Sequence, residues 1–206
     1  MFPGTMARLR RCVVLLGFAC ACTTGVSAPE VSATFSFEQG MDGWAAVAAD
    51  TGAPPGAYAP WSIVPATDFA YDGEQALRLF MANHTDAAKI WIVRSFAVAP
   101  GRMYDVDVSY AFGSSDFGTL NLFDLRTGSF LSPPADGPAL LTGTVHDYTG
   151  NGSDSDIGYR WLRKHVRTAL RADASGLIYV VVGIWGTTEF SRTYYLDDLT
   201  VQVTRD

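Results

Sequence analysis

The sequence predicts an all-β protein built as an antiparallel β-sandwich. Three observations carry this. Apolar and polar residues alternate with period two over short runs, Gly, Pro, Asn and Asp separate the runs, and no segment holds an amphipathic helical period. The chain has 206 residues, 48% hydrophobic and 17% charged, a folded composition whose length suits one domain plus an appendage. Its net charge of −6 argues against nucleic acid as a partner, since phosphate binding needs a basic stripe.

The appendage comes first. Arg8, Arg10 and Arg11 precede an apolar run over 12–21 and a small-residue exit up to Ala28. This is the form of a secretory signal peptide spanning 1–28, with Met6 as an alternative start. Val26-Ser27-Ala28 fits the cleavage rule, although Pro29 would follow the cut. Ala19-Cys20-Ala21 fits as well and would leave Cys22 at the new N-terminus for a lipid anchor of the bacterial lipoprotein kind, with Ala19 in the place of the usual Leu. The expected location is secreted or extracytoplasmic, with membrane anchoring through Cys22 as the alternative. No transmembrane span is expected, because no apolar run reaches the required length.

Cys12, Cys20 and Cys22 are the only cysteines, so the domain at 29–206 must rest on its hydrophobic core without disulfides. Removing the three arginines leaves 12 of the 15 basic residues against 21 acidic ones, a net charge of −9.

The strands follow in order. Phe35 and Phe37 alternate over 33–38, Leu77 and Leu79 over 76–81, and Ile90, Ile92, Phe96 and Val98 over 89–99. Tyr104, Val106, Val108 and Tyr110 alternate with Asp105, Asp107 and Ser109. Further runs are 120–125, 161–172, 177–185 and 193–203. The 161–170 stretch is ambiguous, and Val166, Thr168 and Leu170 favour a strand. Two stretches read as irregular. One is 51–71, which wraps one end of the sandwich. The other is 126–159, long enough to be functional or mobile.

Four segments in order carry a resemblance. Phe35-Ser-Phe-Glu-Gln-Gly-Met-Asp-Gly-Trp44 resembles the opening strand and turn of jelly-roll carbohydrate-binding modules of the galactose-binding-like superfamily. Tyr71-Asp-Gly-Glu-Gln-Ala-Leu-Arg-Leu79 is similar to their Gly turn and apolar strand. Phe96-Ala-Val-Ala-Pro-Gly-Arg-Met-Tyr104 fits their Pro-Gly hairpin, and Tyr194-Tyr-Leu-Asp-Asp-Leu-Thr-Val201 their closing strand with paired acids. The resemblance covers nearly all of 29–206 and implies a jelly roll. It is less specific for function, because the fold hosts glycan binders, adhesins and structural modules.

The resemblance also implies a structural calcium where the first and last strands meet. Glu38 matches the first-strand acid, Asp197 the last-strand acid, and Asp72 lies in the turn between. Only the resemblance brings these acids together; the alternative is a pair of edge carboxylates bonded to turn amides. A second acidic group, Asp147, Asn151, Asp154 and Asp156, lacks EF-hand spacing and reads as a solvated loop.

For a sugar ligand, aromatic faces would cover pyranose C–H patches. Trp44 and Trp161 sit where core or packing residues belong, and Trp61 is expected to cap a sandwich end, with a place beside a ligand as the alternative. Trp91 and Trp185 differ, because the core phases Ile90/Ile92/Phe96 and Ile178/Val180/Val182/Ile184 place them, with Tyr179, on the opposite face. That face is a ligand platform, or is covered by the long loop, or has its phase inverted by a bulge. Trp91, Tyr179, Trp185 and Glu189 are the expected ligand-binding residues, with a polysaccharide or oligosaccharide as partner. Arg192 could join Glu189 in reading hydroxyls or form a surface ion pair with it.

No catalytic constellation is present. The chain lacks a Glu-x-Asp-x-x-Glu strand, a Gly-x-Ser-x-Gly elbow and a phosphate-binding Gly loop. Asp105 and Asp107 read as a solvated face, and neither His84, His146 nor His165 falls in a lyase motif; His146 with Tyr148 remains an acid/base pair only in principle. The expectation is a non-catalytic, glycan-capturing exported protein, the alternative a structural or adhesion component of the cell envelope.

Overall fold

A computed structural model of the chain describes residues 30–51, 61–117, 123–150 and 158–206. The expected signal segment with its three cysteines, the first residues of the 120–125 run, and Asn151, Asp154 and Asp156 lie outside the described residues.

Two antiparallel sheets face each other. One holds strands Val31–Phe35 (β1), Trp61–Ala66 (β3), Ala76–Ala82 (β4), Met103–Ser114 (β6), Arg160–Arg171 (β9) and Ser191–Arg205 (β11). Its order is β3-β4-β11-β6-β9, with β1 also paired to β11. The other holds Ala45–Ala49 (β2), Lys89–Ala97 (β5), Phe123–Phe130 (β7), Thr144–Tyr148 (β8) and Leu177–Gly186 (β10), in the order β2-β5-β10-β7-β8. From β4 to β7, and again from β8 to β11, each strand crosses to the opposite sheet. A short helix, Gly137–Gly143 (α1), interrupts the path between β7 and β8.

Period-two alternation explains the core. Leu77, Leu79 and Met81 of β4, Val106, Val108, Tyr110 and Phe112 of β6, and Val201 and Val203 of β11 point inward from the first sheet. Ile90 and Ile92 of β5 and Ile178, Val180, Val182 and Ile184 of β10 meet them from the second. Full burial of such a side chain contributes about 1.5–3 kcal/mol. Trp44 joins this core as expected, edge-on to Phe35 at 5.4 Å.

The irregular stretches hold more order than their composition implies. Trp61 opens strand β3 and packs against the core, where a cap over the sandwich end was expected. The 126–159 stretch contains the end of β7, then α1 and β8. Helix α1 is nucleated by Asp136, whose carboxylate accepts from the Ala139 amide at 2.8 Å, with Pro138 in the first turn. The ambiguous 161–170 segment is strand β9.

Candidate functional site

The register of the five-stranded sheet places outward-facing residues in rows. One row runs Val47, Trp91, Gly183, Arg126, His146 across β2, β5, β10, β7 and β8. The next runs Ala49, Lys89, Trp185, Asp124, Tyr148. Trp91, Tyr179 and Trp185 therefore share the outer face, as their phase predicts.

They do not form one platform. Leu140 of α1 seats on the middle of the face and closes an apolar cluster with Trp91, Val93 and Val181. Trp91 is only 1% exposed, so it is covered by the long loop and presents no ring to a ligand. Tyr179 and Trp185 stand six residues apart on β10, about 20 Å, at opposite ends of the covered patch. Tyr179 borders an open cleft of about 480 Å³ with Ala45, Val93, Arg94, Ser95 and Pro133. Glu189 is exposed on the β10–β11 connection. Its expected companion Arg192 turns away to the buried Asp116, Nε to Oδ1 2.9 Å, with its guanidinium over the Phe190 ring.

The Trp185 end carries the denser chemistry. The half-buried Trp185 donates its Nε1–H to the Asp86 carbonyl at 3.3 Å. Lys89 and Arg126 bring positive charge to its ring, 5.6 and 5.1 Å from the centroid. Beside it, Asp124 binds Arg126 at 2.8 Å and His146 Nδ1 at 3.2 Å. His146 meets the Tyr148 ring edge-on at 5.2 Å, and Tyr148 is 57% exposed. Trp185 and Tyr148 flank Asp124 from the neighbouring strands, two strand spacings or about 10 Å apart. Asp124 and Arg126 escaped the sequence reading because β8 was hidden in the irregular stretch; without β8, β7 has no partner row on that side. The β-branched pair Thr144-Val145 and the aromatic Tyr148 are its one strand signal.

The expected metal residues lie beside the part of β11 between its pairing with β4 (191–196) and its pairing with β1 (199–203). A bulge in β11 between Asp197 and Thr200, with Asp198 at a φ of 46°, marks where Asp197 leaves the regular ladder. Asp197 Oδ2 accepts the amides of Tyr71 and Asp72 at 2.9 and 3.2 Å, and its Oδ1 accepts that of Asp198 at 2.7 Å. Glu38 Oε1 accepts the amides of Glu74 and Gln75, each at 3.0 Å. Gly73 is required between them, because its φ is +69° and a Cβ there would lie 2.3 Å from Glu38 Oε1.

Burial pushes the Asp197 carboxyl up. The three amide bonds pull it down, the nearby Glu38 charge pushes it up again, and the net shift is upward. The carboxylate oxygens are hard donors of the kind calcium takes, but Glu38 and Asp197 are here bonded to the amides of the 71–75 turn, the edge-carboxylate arrangement given as the alternative to calcium; Asp72 offers its amide to Asp197 and keeps its own side chain exposed. Among the described residues no three His, Cys, Asp or Glu side chains gather with ligating geometry, so main-chain carbonyls would have to complete such a shell.

The remaining candidates are accounted for by local pairing. Asp105 and Asp107 face β9 across the outer side of the six-stranded sheet, paired with Arg167 at 2.5 Å and His165 at 3.0 Å. Asp147 pairs with Lys164 at 2.9 Å, and His84 is exposed. Among the described residues no helix is long and apolar enough to cross a membrane.

No protein-family model and no curated protein matches the sequence. Solved structures match the fold. One cleaved adhesin domain of the Lys-gingipain of Porphyromonas gingivalis is 15% identical, with 84% of this chain and 99% of that one covered and a TM-score of 0.53. A second such domain is 13% identical over 83% and 97%, with a TM-score of 0.51. A xylan-binding domain from Paenibacillus barcinonensis is 17% identical over 88% and 99%, with a TM-score of 0.44. The chain is thus an antiparallel β-sandwich, the architecture of the adhesin domains that it matches at TM-scores above 0.5. At these identities the likeness concerns the fold alone.

Proposed function

We propose that the protein is an exported, non-catalytic glycan-binding module. The observation that carries this is the row Trp185, Asp124, Tyr148 on the outer face of the five-stranded sheet. Two aromatic side chains flank a carboxylate already bridged to a guanidinium and an imidazole. A saccharide laid across β10, β7 and β8 would set its C–H faces on the rings. Its hydroxyls would donate to Asp124 and to the His146 Nε2, whose ring donates through Nδ1 to Asp124, and would accept from Arg126. The ligand is bound and not transformed.

A calcium ion held by Glu38 and Asp197 belongs to the same proposal. It would supply charge compensation for the two carboxylates and lock the Tyr71–Gln75 turn to β11. Added calcium would raise the melting temperature of the wild type and leave that of Glu38→Gln unchanged, and equal responses would remove the ion from the proposal.

The test of the function is a glycan array on the purified chain beside Trp185→Ala and Tyr148→Ala. Binding by the wild type, lost in both variants with their fold intact, supports the proposal. A second reading, an adhesion module of the cell envelope with no sugar ligand, is favoured by the likeness to adhesin domains and by the burial of Trp91 beneath α1. Absence of binding to every glycan by a folded, calcium-supplied chain would select it.

A further inference from the structure

The opposite face of the sandwich has its own aromatic cluster. Phe69 stacks on Trp161 with centroids 4.8 Å apart and planes 5° from parallel, over Gly113 of β6. Gly113 stands between Tyr195 and Trp161 in the strand register, and a Cβ there would come within 3.0 Å of Phe69 and Tyr195. Tyr159 meets both Phe69 and Tyr195, at 5.4 and 5.2 Å. This packing fixes one wall of an open cleft of about 310 Å³, bordered by Ser62, Asp68, Arg78, Phe80, Tyr159 and Thr193.

The cleft has two chemically distinct sides. Phe80 and the 37% exposed Tyr159 offer apolar surface. Asp68 and Arg78, 3.8 Å apart, form the other side as an acceptor and a donor whose charges offset one another. Tyr195 holds Asp68 through a 2.6 Å hydrogen bond; burial and the Asp68 charge push its phenol up, so it remains the donor. Tyr159 donates to the Thr193 carbonyl at 3.0 Å, which fixes its ring. Ser62 and Thr193 are the hydroxyl residues of the strand row through Phe80. A small ligand with an apolar face and a hydroxylated edge, and no net charge, complements these surfaces. The volume lies at the lower end for ligand pockets, suited to one ring.

We infer that this cleft is a second saccharide site, binding a single neutral pyranose unit between Tyr159 and the Asp68–Arg78 pair. It goes beyond the Trp185 site and does not depend on it, because the two lie on opposite faces of sheets packed about 10 Å apart. Two sites on one domain would let it bridge two chains of a polymer or gain avidity on a branched one.

The test follows main-chain amide chemical shifts of the full chain during titration with the methyl glycosides of glucose, galactose, mannose and xylose. At least one should shift the amides of Ser62, Arg78, Phe80 and Thr193, in the wild type and equally in Trp185→Ala. Tyr159→Ala and Arg78→Gln, both at exposed side chains, should each weaken that response about tenfold. Absence of shifts at these four amides with all four glycosides would overturn the inference, and so would an undiminished response in both variants. Shifts confined to Asp124 and Tyr148 with all four glycosides would uphold the first site while sinking the second. Shifts confined to the four cleft amides across the set would uphold the second without the first.

Discussion

Leu140 of α1 packs against Trp91 of β5 in one cluster, and the two residues are 0% and 1% exposed. This contact decides which parts of the outer face a ligand can reach. It seals the centre and leaves the Tyr179 end and the Trp185 end open. Among the described residues the buried Trp91 Nε1 has no hydrogen-bond partner, so the seal is held by apolar packing and not by polar pairing.

Replacing Leu140 by Ala removes the one α1 side chain in that cluster. The expected loss is about 2–3 kcal/mol of unfolding free energy, the lower part of the range for a buried leucine. Trp91 would gain solvent, so intrinsic fluorescence should shift to the red in the folded state. A variant with unchanged stability and emission would mean that α1 does not dock on this face in solution.

A second contribution to stability comes from Asp116, whose side chain is 3% exposed. It gathers Arg192 at 2.9 Å, Thr149 Oγ1 at 2.9 Å and the Tyr194 hydroxyl, while its amide is held by Ser114 Oγ at 3.0 Å. Thr149 passes the connection on to the Phe123 carbonyl at 3.2 Å. One carboxylate thereby ties the end of β6 to β7, β11 and the segment after β8. Asp116→Ala would leave a guanidinium and the Tyr194 hydroxyl without this acceptor and Thr149 with the Phe123 carbonyl alone, at a cost of about 3–5 kcal/mol. Asp116→Asn, which keeps acceptor capacity, should lose less. Equal losses in the two variants, read from denaturant midpoints, would show that side-chain volume matters here and pairing does not.

The strands legible in the sequence are those with a repeating core face. In β5, β6, β10 and β11 the core enforces Ile, Val, Tyr, Phe or Leu at alternate positions, so phase predicts orientation, including the outward Trp91 and Trp185. Strand β2 is Ala45-Ala-Val-Ala-Ala49 and β8 is a polar edge strand; neither carries the alternation, and both are held by pairing to β5 and β7. Exposure of Trp91 could not be read from phase, because it depends on where α1 lands, a long-range contact with no local signature. The Asp68–Arg78–Tyr159 cleft was equally hidden. Its residues come from β3, β4, β11 and two connecting segments, and only the sheet order brings them together.

Alkaline pH should destabilise the fold in a predictable direction. Tyr110 is fully buried with its hydroxyl 2.6 Å from Thr127 Oγ1, and burial pushes its phenol well up. Tyr194 is pushed up by burial first and then by the Asp116 charge and hydrogen bond, against smaller opposing effects from Thr149 and Arg192. Both phenols therefore keep their protons in the folded chain at a pH where an exposed tyrosine, with a pKa of about 10, has lost its own. The unfolded state then binds fewer protons, so stability is intact below that value and declines above it. The slope is about 1.4 kcal/mol per pH unit for each tyrosine. Denaturant midpoints measured on either side of that pH, with phenolate absorbance followed in parallel, check this. The two buried phenols should ionise only as the chain unfolds, and Tyr110→Phe should remove about half of their joint slope. Phenolate signal from both in the folded state, with a flat stability profile, would contradict the burial of these side chains.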